Sequence, residues 1–241
     1  MKAGIKRDNI LLLPSAVEYA EEMEALQFLV YEATADDYGD CLTADMFRRH
    51  MQVFPEGQFI ALDTDSERIV GLTASMRMNF DITRPFAEPW VVTIGHGWLT
   101  THAPSGEWMY GVETCVHPAY QGQGVGGRLM EARCAVARRL NLRGIVAGSA
   151  IIDYGAVADT VPVEQYVADV VAGRRFDRNL SKQLKKGFRV HNVIPNYLQD
   201  DPRSAGWGVT IVWENAAFRG DIAYDRRGED RVLLPIGQEA L

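Results

Sequence analysis

Val125, Leu129, Ala132, Val136 and Leu140 recur at steps of four, three, four and four, which places them on one stripe of a helix, with Arg128, Glu131, Arg138 and Arg139 elsewhere on the wheel. Arg138 and Arg139 then complement the negative C-terminal end of that helix. Upstream, Tyr110, Val112, Thr114 and Val116 alternate with Gly111, Glu113 and Cys115 in a run of β-formers, the pattern of a strand. Downstream, after a turn at Asn141, a short apolar run from Gly144 to Ala147 predicts a second strand. The unit is strand, glycine-dense turn, helix, strand.

The same reading extends along the chain. Val17, Ala20, Met23, Leu26, Phe28 and Val30 predict a helix over 16–33, and Thr43 as N-cap opens a second helix through Met51. Phe59 to Asp63 and Ile69 to Phe80 predict a hairpin around the polar turn DTDSER. Residues 81–107, with Pro85, Pro89, Pro104, Trp90, Trp98, His96 and His102, form a long insertion, and long loops on a compact domain are often functional. A second insertion covers 153–180 and contains a helix from Val163 to Val171. After a helix at 180–186, Phe188 to Ile194 and Trp207 to Trp213 predict a closing hairpin around Asp200-Asp201-Pro202.

The turn VHPAYQGQGVGGRLM, residues 116–130, carries the chemistry. A strand end, four glycines and a helix start gather backbone N–H groups that have no intrahelical partner, at the positive end of the macrodipole. Gly122, Gly124, Gly126 and Gly127 leave room for a phosphate to approach the main chain. An ATP-binding Walker loop needs Lys and then Ser or Thr after its second glycine, where Gly127 and Arg128 stand. A dinucleotide fold needs its first glycine directly at the strand end and a carboxylate capping the next strand. Here His117 to Gln121 intervene, and the next strand runs into Gly148-Ser149.

The spacing resembles motif A of the GNAT acyltransferase superfamily: Gln or Arg, two residues, Gly, one residue, then Gly or Ala, filled here by Gln121, Gly124 and Gly126. The flanking V-H-P-x-Y and G-R-L-M add to the match. LNLRGIVAG (140–148), EQYV (164–167), FD (176–177), LSKQLKKGFRV (180–190), VIPNYLQDD (193–201) and VWEN (212–215) resemble one branch of that superfamily, whose members occur alone or fused to a carbon–nitrogen hydrolase domain. The chain ends soon after the acyltransferase part, so no hydrolase domain is expected. The resemblance covers about residues 57–215. It implies an α/β (α+β) fold with a mixed, mostly antiparallel sheet of six to seven strands flanked by helices. In this fold the central strand and the next splay apart to seat the acyl group, and the two insertions are expected to wall the acceptor pocket.

The resemblance further implies acetyl-CoA, or another short acyl-CoA, as donor. Its pyrophosphate would lie on the N–H groups of residues 122–127 (Gly122, Gln123, Gly124, Val125, Gly126, Gly127) after Gln121. The main chain of Thr114, Cys115 and Val116 would pair with the pantetheine arm. Direct attack of an amine on the thioester then needs a base. Glu113 is the only carboxylate on the central strand and is the first candidate, a structural polar contact being the alternative. Many members carry a Tyr four residues before the G-F of the last helix as general acid. Here Gln183 stands there, with no proton to give at neutral pH. Tyr154 matches a Tyr common in the branch and is the substitute, although Asp153 replaces the Gly that often precedes it, and a packing role for the ring is the alternative.

Composition fits one enzyme domain spanning 1–241: 47% of the 241 residues are hydrophobic and no Pro/Ser linker or charge block divides them. Cys41, Cys115 and Cys134 are odd in number and form no C-x-x-C pair, and His50, His96, His102 and His191 show no metal spacing, so neither disulfide framework nor metal site is expected. The net charge of −7 argues against nucleic acid as a partner. Glu18, Glu21, Glu22, Glu24, Asp36, Asp37 and Asp40 concentrate that charge near the N-terminus, as a solvated helix face or as a rim attracting an amine. The apolar run near residue 10 is cut short by Pro14 and Glu18, and no stretch spans a bilayer, so the expectation is a cytoplasmic protein with no membrane partner. The expected function is N-acylation of a small amine by an acyl-CoA. A CoA-binding regulatory or scaffold protein and a protein N-acetyltransferase are the alternatives, and exposed strand edges admit a homodimer.

Overall fold

The computed structural model describes residues 9–33, 40–220, 222–224 and 230–232. Seven strands form one sheet: β1 (Ile10–Pro14), β2 (Phe59–Asp63), β3 (Arg68–Met78), β4 (Trp108–Val116), β5 (Gly144–Ala150), β6 (Arg189–Ile194) and β7 (Gly208–Glu214), in the order β1-β2-β3-β4-β5-β7-β6. Every pairing is antiparallel except β4 with β5. That parallel pair requires a crossover, which the helix α4 (Val125–Arg139) supplies.

Helices cover both faces, so the middle strands are buried on both sides. β3 is buried at nine of its eleven positions, which is why its sequence reads as a continuous apolar run without alternation. On one face lie α1 (Ala20–Tyr31), α2 (Ala44–Val53) and the first insertion with its short α3 (Trp90–Thr93). Their Met23, Leu26, Phe47, Trp90 and Ile94 pack with Tyr110, Val112 and Cys115 of β4. On the other face lie α4, α5 (Val163–Val171) and α6 (Leu180–Leu184), where Val136, Tyr154, Tyr166 and Leu180 pack with Met109, Ile145 and Ile211. α1 and α2 are tied together by Glu24, whose Oε1 accepts from Ala44 N–H at 3.0 Å, and by the ion pair of Glu21 with Arg48. Part of the N-terminal negative charge is therefore structural.

The predicted elements form, with four corrections. The apolar run near residue 10, assigned to no element from the sequence, is the edge strand β1 on β2. The first helix begins at Ala20 after a 3₁₀ turn, Val17–Tyr19, because the chain leaving β1 is still extended at Ala16 (φ −127°, ψ 156°). A hairpin of β8 (Ile222–Tyr224) and β9 (Asp230–Val232) lies beyond the last expected strand. Most consequentially, the two insertions lie on opposite faces of the sheet. Only the first flanks α1, and the second packs beside α4, because its apolar Val163, Tyr166, Val167 and Val170 complete the α4 core. Asp36 and Asp37 fall outside the described residues. Among the described residues no helix is long and apolar enough to cross a membrane.

Candidate functional site

β4 and β5 pair over four residues only, Trp108–Gly111 against Gly144–Ala147. Beyond Gly111, β4 stays with β3 as far as Val116, while β5 stays with β7 as far as Ala150. The two strands part into a wedge, and on its β5 side the main chain of residues 112–116 has no strand partner. Gly111 stands at the apex. A β-carbon there would lie 3.0 Å from Arg133 Nη1 and 3.2 Å from Ala147 Cβ, so the closest approach of the strands favours glycine.

The glycine turn opens at the end of β4. His117 Nδ1 accepts from Ala119 N–H at 3.1 Å and caps a 3₁₀ turn, Pro118–Tyr120, so this histidine is structural. Gln121 Nε2 donates to Val116 O at 3.1 Å and Gln123 Nε2 to Ala119 O at 2.7 Å, folding the turn back on itself. Gly122 and Gly124 have φ of 76° and 89°, the left-handed region that glycine tolerates. A β-carbon at either would meet open space, so a cradle lies in front of them. The first α4 hydrogen bond runs from Arg128 N–H to Gly124 O at 3.1 Å, leaving the N–H groups of Val125, Gly126 and Gly127 without an intrahelical acceptor. Lys186, just past α6, brings its Nζ to 3.0 Å from where a Gly127 β-carbon would be. Free N–H groups, a helix dipole and an ammonium on one open cradle suit a phosphate ester.

Glu113 reaches the opposite face of the sheet through a break in β4. Ala74 pairs with Glu113 and Ser75 with Gly111, so Val112 is an extra residue, a β-bulge. The bulge puts Val112 and Glu113 on the α1 face in succession, whereas unbroken alternation would have sent Glu113 toward α4 with Met109. Glu113 Oε1 accepts from the Tyr31 hydroxyl of α1 at 2.8 Å. The surrounding protein raises its carboxyl above the ordinary range by desolvation, opposed by the Tyr31 hydrogen bond, the Arg133 charge and the neighbouring Gln27 amide. Gln27 Oε1 accepts from Leu42 N–H at 2.6 Å, so its amide group is the end left to act on Glu113. Nearby Asp40 is held above its ordinary range by burial and by Asp200 and Asp201, so this side of the wedge is electronegative.

Thr114 and Val116 face α4, and Val116 Cγ2 lies 3.6 Å from a Gly126 β-carbon position, which joins the strand to the cradle. Cys115 is buried on the α1 face, and burial pushes its thiol far up, which disfavours the thiolate. Tyr154 is placed as the packing alternative has it: its hydroxyl donates to Val161 O at 3.0 Å and its ring packs against Tyr166 at 5.1 Å, within the second insertion. Asp153 latches the same insertion through Arg178 at 2.7 Å. Gln183 Oε1 is buried without a hydrogen-bond partner among the described residues.

Three residues escape the sequence reading. Tyr31 was one more residue at the end of an amphipathic helix, and only the bulge at Val112 brings Glu113 to it. Lys186 sat among surface lysines. Arg133 lay beside Ala132 of the predicted stripe, yet Ala132 is half-buried and Arg133 is 3% exposed. No pattern signals that a helix will bury a cation.

Residues 86–158 match the acetyltransferase (GNAT) domain family. The chain is 31% identical over 175 residues to the uncharacterized N-acetyltransferase YkwB of Bacillus subtilis (strain 168), covering 73% of this chain and 76% of YkwB. It is 38% identical over 169 residues to the probable hydrolase YhcX of the same organism, covering 70% of this chain but spanning only 32% of that protein. Among solved structures, the fold is similar to the GphF GNAT-like decarboxylase in complex with isobutyryl-CoA (TM-score 0.68, 23% identity, 85% of this chain and 98% of that one). It is also similar to the loading GNATL domain of CurA from Lyngbya majuscula (TM-score 0.67, 19% identity, 85% and 97%). With the wedge, the glycine cradle and these relatives together, the chain belongs to the GNAT acyltransferase superfamily.

Proposed function

We propose that this protein acylates a small amine, with acetyl-CoA or another short acyl-CoA as donor, by direct attack and without a covalent enzyme intermediate. The observation that carries the reading is the placement of Glu113, a carboxylate held by Tyr31 across the wedge from the phosphate cradle. The open space at Gly122 and Gly124 fits the pyrophosphate, with Lys186 beside it, and the stretch 112–116, which has no β5 strand partner, suits an amide-bearing arm. Bound there, an acyl-CoA supplies the electrophilic thioester carbonyl and a thiolate leaving group. A free thiol titrates at about 8.5, so that group departs without a strong protein acid, which accommodates Gln183 and the engagement of Tyr154. Glu113 takes the proton of the incoming ammonium. Its elevated pKa matches that task better than an ordinary carboxylate would. The negative field of Glu113 and Asp40 draws a cationic amine to the α1 side.

A second reading, a CoA-binding regulator without turnover, draws on Gln183. Calorimetric titration of acetyl-CoA into the protein and into a Gly124→Glu variant tests the donor, and an amine panel with Glu113→Gln tests the chemistry. Binding lost in Gly124→Glu, with turnover lost in Glu113→Gln, supports the enzyme. Binding without turnover across the panel supports the regulator, and no binding overturns both.

A further inference from the structure

Arg133 is a buried guanidinium on the third turn of α4, and among the described residues no carboxylate forms an ion pair with it. Burial lowers its pKa to about 10, so it stays cationic at neutral pH. A buried charge without a counterion is retained only where hydrogen bonds replace its hydration. Its partners all lie at the break in the sheet. Nε donates to Ser75 Oγ at 3.0 Å, and Nη2 donates to Ala74 O at 2.6 Å and to Glu113 O. Ala74 and Ser75 are the two β3 residues between which the register shifts, and Glu113 directly follows the extra residue on β4.

A bulge strips carbonyls of their ladder partners, and one forked cation recovers them on both strands at once. Two hydroxyls assist: Thr73 Oγ1 and Thr114 Oγ1 stand 2.9 and 2.8 Å from the same Glu113 carbonyl. They also lie 2.8 Å from each other and carry no charge. Thr73 also links β3 to β4, and Arg133 is the charged member of the group and the one that reaches both strands from α4.

We propose that Arg133 is the positioning residue for Glu113: by holding the Glu113 carbonyl in the bulge from the α4 face, it keeps the carboxylate turned to the α1 face, at the acceptor side of the wedge. The helix that offers its N-terminus to the phosphate thereby also sets the base, about 12 Å further along its axis at 1.5 Å per residue. This inference rests on the proposed role of Glu113 as base.

The groups around Glu113 are Tyr31 and Gln27 from α1, Cys115 on β4, Asp40 and Cys41 before α2, Tyr197 after β6 and Arg133 from α4. Tyr31, Gln27 and the two thiols remain in an Arg133→Met variant, which deletes the fork and the charge while keeping a long apolar stem. Arg133→Lys keeps the charge and loses the fork.

The test is a ¹³C NMR titration of glutamate-labelled protein, with Glu113 assigned by its absence in Glu113→Gln, alongside acetyl-CoA affinity and the pH profile of kcat/KM. In Arg133→Met the Glu113 carboxyl is expected to titrate about one unit higher. The acid limb of kcat/KM should follow it while acetyl-CoA affinity stays within about twofold, and Arg133→Lys should recover only part of the effect. An unchanged carboxyl titration in folded Arg133→Met overturns the proposal. Should Arg133→Met fail to fold, Ser75→Ala removes one anchor of the guanidinium and must then move the carboxyl in the same direction, with no movement again overturning it. The titration needs no turnover. A wild-type protein that never transfers acetyl would defeat the enzyme reading, while the carboxyl shift still decides the placement of Glu113.

Discussion

The Tyr31 hydroxyl donates to Glu113 Oε1 at 2.8 Å, joining the last turn of α1 to the central strand at the mouth of the wedge. Tyr31 is 40% exposed as a residue, while burial and the Glu113 charge push its hydroxyl well above the ordinary tyrosine range. The hydrogen bond favours the ionised carboxyl, against the desolvation that disfavours it.

Glu113→Gln should lower kcat/KM for amine acylation by about 10²–10⁴, the usual contribution of a general base, and leave acetyl-CoA affinity unchanged. Steady-state kinetics beside calorimetry separates the two.

The pH dependence has a definite sign. With Glu113 as the proposed base and its pKa raised, kcat/KM should fall on acidification through a limb above the ordinary value of 4.5. Tyr31→Phe removes a group that lowers that pKa, and the limb should move further alkaline. A limb that stays put or moves acid would rule out the hydrogen bond as its determinant.

Gly124 and Gly126 should respond differently to alanine. Gly124 has φ of 89°, and a side chain there costs about 1–2 kcal/mol. Gly126 lies inside α4 with its nearest neighbour at 3.6 Å, where alanine gains up to about 1 kcal/mol of helix propensity. Thermal melts should show Gly124→Ala below and Gly126→Ala at or above the parent.

Lys186→Ala should weaken acetyl-CoA binding by about two- to fivefold, equivalent to ~0.5–1 kcal/mol for an exposed charge contact. The difference from the parent should shrink as salt is raised. Equal loss at low and high salt would mean that Lys186 acts otherwise than by charge.

His50 is buried, with Nε2 2.7 Å from Gly97 O, and burial lowers its pKa to about 4. The unfolded chain takes up this proton near 6.5 and the folded protein only near 4. Stability is therefore lost as pH falls through that window, by on the order of 3 kcal/mol in total, and levels off below it. Chemical denaturation between pH 7 and 4, compared with His50→Gln, measures the slope that this residue supplies.

The fold was legible where burial is periodic. α4 announced itself through Val125, Leu129, Val136 and Leu140, and Thr43 caps α2, its Oγ1 accepting from Met46 N–H at 3.4 Å. The cradle was legible because positive φ at Gly122 and Gly124 demands glycine. What stayed hidden depends on departures from periodicity. Alternation along β4 cannot reveal that Val112 is an extra residue, so neither the orientation of Glu113 nor the use of Arg133 could be read. The sides taken by the insertions were hidden for another reason: the aromatic anchors Trp90 and Tyr166 would serve equally well on either face.

The four residue pairs that join β4 to β5 are also a seam. On one side stands a half-sheet of β1 to β4, on the other a half-sheet of β5, β7 and β6, and beyond Gly111 no main-chain ladder ties one to the other. A guest whose amides bond to the free edge becomes a stitch across that seam, so occupancy and cohesion of the sheet are thermodynamically linked. A ligand that seats there and not on the unfolded chain raises the melting temperature, with the logarithm of its concentration once that exceeds Kd.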